Sequence, residues 1–242
     1  YDLFSAKTGR PYIIDGVNFQ QLPTKCKNII KSRWQDGKLY EIDFNSCEIR
    51  AALFAINKLD IANMQSDIYA YYAQLVNSKL SVSLDRDMIK RLIIPMLYGA
   101  SVSTMSKLAK KPTYFIKKIV ELLLQEFEIE TIYSTIDAAL KKHNHFFNLF
   151  ERPIYADNEN RKYVFVQNYI QSTATDICHS GYAALCAYIK NNNMETRVIY
   201  TKHDAICIDV YPDELQHIDE FAHIVAKTNI KDVNFKTQVK EL

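Results

Sequence analysis

Between Lys38 and Phe44 the chain alternates in character (KLYEIDF), which predicts a strand with Tyr40, Ile42 and Phe44 on one face and Glu41 and Asp43 on the other. Asp43 belongs to the open face. The period then changes. Glu48 to Lys58, Asp67 to Val76 and Asp85 to Leu97 read as helices. Phe115, Ile116, Ile119, Leu122, Leu123 and Phe127 recur at helical spacing within a longer stretch from Thr113 to Lys142. Pro153 to Ile170 holds two short runs of Tyr, Phe and Val around Asp157-Asn158-Glu159-Asn160, which reads as a hairpin, and Gln171 to Ile189 predicts another helix. Arg197 to Tyr200 and Ala205 to Tyr211 predict strands flanking His203-Asp204, after which Pro212 opens a helix reaching Lys227. No internal repeat or low-complexity linker interrupts this order. Sheet, helices, hairpin, helix, hairpin, helix is an α+β pattern with a helical insertion.

At 242 residues, 48% of them hydrophobic, the chain can bury one substantial core or two small ones that share a sheet. Lys and Arg total 30 against 28 Asp and Glu, so a net charge of +2 does not by itself point to a polyanionic partner; nucleic acid would need locally concentrated cations. Cys26, Cys47, Cys178, Cys186 and Cys207 are odd in number and lack C-x-x-C spacing, which disfavours a disulfide framework or a zinc site and suits a reducing cytoplasm. The longest apolar run, Leu92 to Ala100, is too short to cross a bilayer, and no basic-then-apolar leader opens the chain. No membrane partner is expected. Because Tyr1 enters a domain without a lead-in, upstream domains are expected too.

Asp43 ends its strand and Asp204 sits in a hairpin remote in sequence. Should the two strands be neighbours, the carboxylates converge and can hold the hard cations that phosphoryl transfer needs. The alternative is that each aspartate only terminates a strand. From Arg86 to Gly99 (RDMIKRLIIPMLYG), Arg86, Lys90, Ile94 and Tyr98 share one slowly turning helical face. Its cations suit phosphate oxygens, and its apolar and aromatic steps suit a sugar or base; a solvated basic edge with Gly99 as C-cap is the alternative. His143 and His145 lack a third ligand nearby and read as polar residues at a helix end, while His217 and His223 read as surface residues. The cysteines other than Cys47 read as small core residues. There is no Ser-His-Asp arrangement, and five glycines in all exclude a P-loop.

In this order, Asp43-Phe44-Asn45-Ser46-Cys47-Glu48-Ile49-Arg50, the Arg86-to-Gly99 helix and His203-Asp204 resemble motifs A, B and C of family A DNA polymerases. Thr8-Gly9-Arg10 with Asn18-Phe19-Gln20-Gln21-Leu22-Pro23 resembles the family's T-G-R and L-Q-N-I-P element, and Gln171-Ser172-Thr173-Ala174-Thr175-Asp176 resembles its Q-G-T-A-A-D segment. Ser172 is similar to phage members more than to bacterial repair enzymes. The resemblance implies a right-hand polymerase core whose antiparallel palm sheet and helices span 1–52 and 145–242, with helical fingers over 53–144, and a thumb and any exonuclease are expected to be absent from these residues.

The resemblance further implies that Asp43, Asp204 and the carbonyl of Phe44 ligate two Mg²⁺ ions, and that Arg86 and Lys90 grip the incoming deoxynucleoside triphosphate, with Lys90 catalytic beside the aspartates. Ile94 would lie against the incoming sugar and base, Tyr98 beside the templating position, and Glu48 at the steric gate that excludes a ribose 2′-hydroxyl. Tyr69 stands where the family's D-I-H-T has histidine. Arg10, Asn18, Gln20, Gln21, Gln171 and His203 would touch primer-template DNA near the growing end.

Departures from the pattern are Ile94 in place of an aromatic, Pro95, which should kink the helix near Arg91, Ala205 in place of a second acidic residue after Asp204, and a short Pro153 to Gln171 connection. A processivity factor or additional domains are expected partners of so reduced a core, and the host cytoplasm its location if phage-encoded. Two rivals remain: a single-subunit RNA polymerase, and a non-catalytic nucleic-acid-binding remnant of the fold.

Overall fold

The computed structural model describes residues 2, 5–16, 18, 20, 26, 29–63, 67–156, 159, 161–227 and 235–242. In chain order the elements are β1 (Lys38–Phe44), α1 (Cys47–Ala55), α2 (Leu59–Ala62), α3 (Ile68–Leu80), α4 (Arg86–Leu97), α5 (Val102–Ala109), α6 (Thr113–Glu126), α7 (Ile129–His143), β2 (His145–Phe147), β3 (Pro153–Tyr155), α8 (Lys162–Asn191), β4 (Arg197–Lys202), β5 (Ala205–Val210), a 3-10 turn (Pro212–His217), α9 (Ile218–Ala226) and β6 (Thr237–Glu241). The chain forms two compact units, Tyr1–Cys47 with Ser172–Leu242, and Glu48–Gln171. Among the described residues no helix is long and apolar enough to cross a membrane.

The first unit is built on an antiparallel sheet of order β4-β5-β1-β6. β5 is buried along its whole length, and its sequence (AICIDV) is accordingly an apolar run with one acid. That acid, Asp209, accepts from the backbone amide and Nε of Arg33 at 3.1 and 3.2 Å, which supplies the partner a buried carboxylate needs. β1 pairs with β5 on one side and β6 on the other, with Asp43 opposite Ala205 and Gln238. Beneath it, the Phe44 ring packs against Tyr182 and Phe235, at centroid distances of 6.2 and 6.0 Å. A Cβ at Gly181 would lie 2.2 Å from the Val225 carbonyl oxygen and 3.1 Å from the Phe44 ring, so this turn of α8 must lack a side chain for α9 and β1 to approach it.

The second unit is helical around one core that includes Ile49, Leu53, Tyr72, Ile89, Leu92, Ile119, Leu123 and Phe127. The helical stretch expected from Thr113 to Lys142 forms as two helices, α6 and α7. Phe127 turns into the core and stacks on Tyr72 at 5.0 Å, and Glu128 takes a left-handed φ of 45°, so α6 and α7 each bury one apolar face. The hairpin expected over Pro153 to Ile170 is also not the one formed. β3 pairs instead with β2, and Lys162 onward is helix, because Phe165, Val166 and Ile170 are buried on one helical side. Burial overrides the strand preference of Tyr, Phe and Val there. Of the expected turn, Asp157, Asn158 and Asn160 lie outside the described residues. Gln171-to-Asp176 therefore falls inside the 30-residue α8 rather than at a helix start.

Candidate active site

The acidic pair belongs to the sheet unit. β4 and β5 are joined only by His203-Asp204, and His203 makes the tight turn possible with a φ of 45°. The carbonyl of Asp204 accepts from the backbone amide of Phe44 at 2.8 Å, and the next residue, Ala205, stands directly opposite Asp43. The two aspartates thus stand at adjoining ends of paired strands. Asp204 is exposed and Asp43 half-buried, while the small side chain of Ala205 is buried beside them. The Tyr182 hydroxyl lies within electrostatic reach: burial lifts its pKa well above the ordinary tyrosine value, and Cys178 and the Asp204 carboxylate add to that. The fixed geometry comes from the ladder, which sets Asp43 opposite Ala205 and so one position along the chain from Asp204.

The basic residues belong to the helical unit. Asp85 caps α4 by accepting from the Met88 amide, and Asp67 caps α3 by accepting from the amides of Tyr69 and Ala70. The caps set the start of both helices. Arg86 then pairs with Asp67 at 2.5 Å and with Asp87 at 3.1 Å. Burial pushes the Asp67 carboxyl up, but hydrogen bonds from Arg86 and the two cap amides outweigh this and hold it below the usual carboxylate range. The guanidinium of Arg86 lies 5.3 Å and Nζ of Lys90 lies 5.7 Å from the centroid of the Tyr69 ring, so three of the expected nucleotide-binding residues meet at one aromatic face.

Further along α4, Ile94 is half-buried against the helical core. Despite Pro95, the helix runs on to Leu97, and the Pro95 carbonyl accepts from the amide of Ala100 at 2.9 Å. Tyr98 is the C-cap rather than a member of the helix, and Gly99 follows at φ 72°. A Cβ on Gly99 would sit 2.3 Å from Tyr163, so glycine is required there for two separate reasons.

Among the remaining expected residues, Glu48 stands in the first turn of α1, Gln171 is half-buried in α8 and His203 is exposed at its hairpin turn. Arg10 and Asn18 are half-buried, and the Asn18 side chain accepts from the Gln20 amide. Gln20 is 8% exposed, and its Nε2 donates to the carbonyls of Pro11 and Thr201 at 3.1 and 3.3 Å, tying its segment to β4. Gln21 lies outside the described residues. Sequence reasoning used Asp67 only to open a helix and passed over Tyr182. An N-capping aspartate can be read from sequence, but its pairing with an arginine 19 positions later cannot.

The donors at the strand ends are two carboxylates and backbone carbonyls, all hard oxygens. Among the described residues no group of three or more His, Cys, Asp or Glu side chains comes together. Such a set does not suit zinc, which takes four protein ligands or three with one open position. It fits a hard divalent cation that keeps water and substrate oxygens in its shell.

No curated protein matches the chain. Among solved structures, the POL domain of Pol1 from M. smegmatis, in complex with DNA primer-template and dNTP, shares the fold with a TM-score of 0.79 at 18% identity, over 98% of this chain. The chain spans 46% of that protein's length. The family model for DNA polymerase family A matches residues 1–241, and over that span this chain belongs to DNA polymerase family A.

Proposed function

We propose that this chain is the palm and fingers portion of a template-directed DNA polymerase that adds deoxynucleotides to a primer 3′ end, in replication of the phage type. The observation that carries the reading is the placing of Asp43 and Asp204 at adjoining ends of paired strands. Family membership over nearly the whole chain supports it, as does a shared fold with a polymerase domain that was bound to primer-template and dNTP.

Family A polymerases generally use divalent metal ions. Two Mg²⁺ ions, held by Asp43, Asp204 and the Phe44 carbonyl, would supply activation of the attacking hydroxyl and neutralisation of the leaving pyrophosphate. The protein's own groups do the positioning. Asp43 and Asp204 bring fixed negative charge to the reacting end. Arg86 and Lys90 bind the triphosphate oxygens, with Lys90 offsetting charge that builds as the bond to the leaving group breaks. Tyr69 orients these two cations. Ile94 and Tyr98 face sugar and base, and Glu48 excludes a 2′-hydroxyl. Arg10, Asn18, Gln20, Gln21, Gln171 and His203 serve the primer-template. On this reading the palm comprises 1–52 and 145–242 and the fingers 53–144.

Primer extension tests it. The parent chain incorporates deoxynucleotides in a Mg²⁺-dependent manner and prefers them to ribonucleotides, and Asp204→Asn lowers incorporation by about a thousandfold or more with the fold retained. Preference for ribonucleotides would assign the chain to RNA synthesis. Activity undiminished in Asp204→Asn would remove the proposed centre.

A further inference from the structure

The short β2–β3 hairpin of the helical unit carries an aromatic face outside the machinery described above. Its strands alternate strictly: Phe146 and Ile154 point inward and are buried, while Phe147 and Tyr155 point outward, 52% and 53% exposed. Register places His145 opposite Tyr155 and Phe147 opposite Pro153, so the outer face is a continuous group of rings. The His145 ring lies 5.0 Å from Phe147 and 5.3 Å from Tyr155. Leu149 extends the patch beyond the strand, and Phe147 also rims a cavity of about 160 Å³ shared with Thr131 and Tyr169. Exposed rings gathered in this way mark a contact surface rather than scattered surface residues.

The charge beside the rings says what contacts it. Lys141, Lys142 and His143 form the last turn of α7 immediately before β2, and all three are exposed. Lys141 is engaged by Asp137 at 2.7 Å, a surface pair that a polyanion can exchange at little cost, and Glu151 is the single carboxylate between Lys141 and Tyr155. Cations at a helix C-terminus are common for their own reasons. Combined with half-exposed rings, they match the two requirements of single-stranded nucleic acid, backbone neutralisation and base stacking.

We infer that the outer face of the β2–β3 hairpin is a stacking platform for single-stranded DNA, with His145, Phe147 and Tyr155 receiving bases and Lys141 and Lys142 following the phosphates. The inference rests on the polymerase reading only for the choice of DNA as the polymer. Duplex has its base faces covered and would gain nothing from the rings, so the platform selects unpaired strand.

The test is binding of a labelled oligothymidylate of roughly a dozen nucleotides to the full chain, without nucleotide or metal, so that its failure is separate from failure of the extension assay. Replacing Phe147 and Tyr155 together by Ala weakens binding about tenfold or more while leaving the salt slope unchanged. Lys142→Glu weakens binding and flattens the slope. Both rings are exposed, so thermal unfolding of the double variant should match the parent. As an independent check, Phe147→Trp keeps the affinity and its added indole is quenched on binding. Oligonucleotide affinity undiminished in the double variant, which would leave the face to a protein partner, overturns the inference, as does an unquenched indole.

Discussion

In the sheet unit Asp43 and Asp204 are placed by backbone, through ladder pairing and the Phe44-to-Asp204 hydrogen bond, whereas in the helical unit Arg86 and Lys90 are placed by side-chain contacts with Asp67 and Tyr69. The difference is one of stiffness. Moving a carboxylate off its strand end means breaking ladder hydrogen bonds, but moving an arginine off an exposed aspartate costs little, since such pairs contribute about 0–1 kcal/mol. The acidic group is therefore set in advance, and the basic group can exchange one anion for another. Asp67 acts on this reading as a stand-in, occupying Arg86 until a phosphate competes for it.

The largest effect on this contrast is expected from Lys90→Ala. Lys90 is exposed and its removal should leave the fold intact, while the turnover number for incorporation falls about a hundredfold, the size typical of losing one transition-state donor. A loss confined to KM would make it a binding group only. Next in size is Gly99→Ala, where strain at φ 72° and the approach to Tyr163 act together. Thermal or denaturant unfolding should show destabilisation of about 1–3 kcal/mol. The loss should shrink in a Tyr163→Gly background, which removes the Cβ and ring atoms that the new methyl would meet and leaves only the backbone strain.

Smallest, and most specific to the contrast, is Asp67→Asn. Asparagine caps a helix about as well as aspartate, so stability should move by less than about 1 kcal/mol, while KM for nucleotide falls a fewfold as Arg86 loses its charged rival. The sign of the pH dependence follows from the depressed carboxyl. Its pairing is fully present above the ordinary value of 3.8 and is lost as pH falls through the lower folded value. Parent and variant should therefore differ at neutral pH and converge only in strong acid. An unchanged KM at neutral pH would show that Asp67 does not compete for Arg86.

Several elements were legible because their causes are local. Asp67 and Asp85 announce α3 and α4 by capping, and His203-Asp204 between two apolar runs announces the β4–β5 hairpin. Where packing outvoted local preference, the reading failed. Tyr163 to Ile170 has strand composition yet is helical, and the break at Phe127 within the helical stretch Thr113 to Lys142 has no signal in its period. The pairing of β2 with β3, on which the aromatic platform depends, left no usable trace, because a strand of three residues is too short to establish a period.

By itself the sequence determined which chemical groups this protein possesses and, through period and capping, most of the segments that carry them. Only the tertiary structure decided that Asp43 and Asp204 stand at adjoining ends of paired strands, that Arg86 is held by Asp67, and that the rings of His145, Phe147 and Tyr155 form one face. The division has a physical basis. Capping and periodicity act over a few residues, whereas strand register and side-chain pairing between distant segments arise from which apolar faces can be buried together, a property of the whole chain at once.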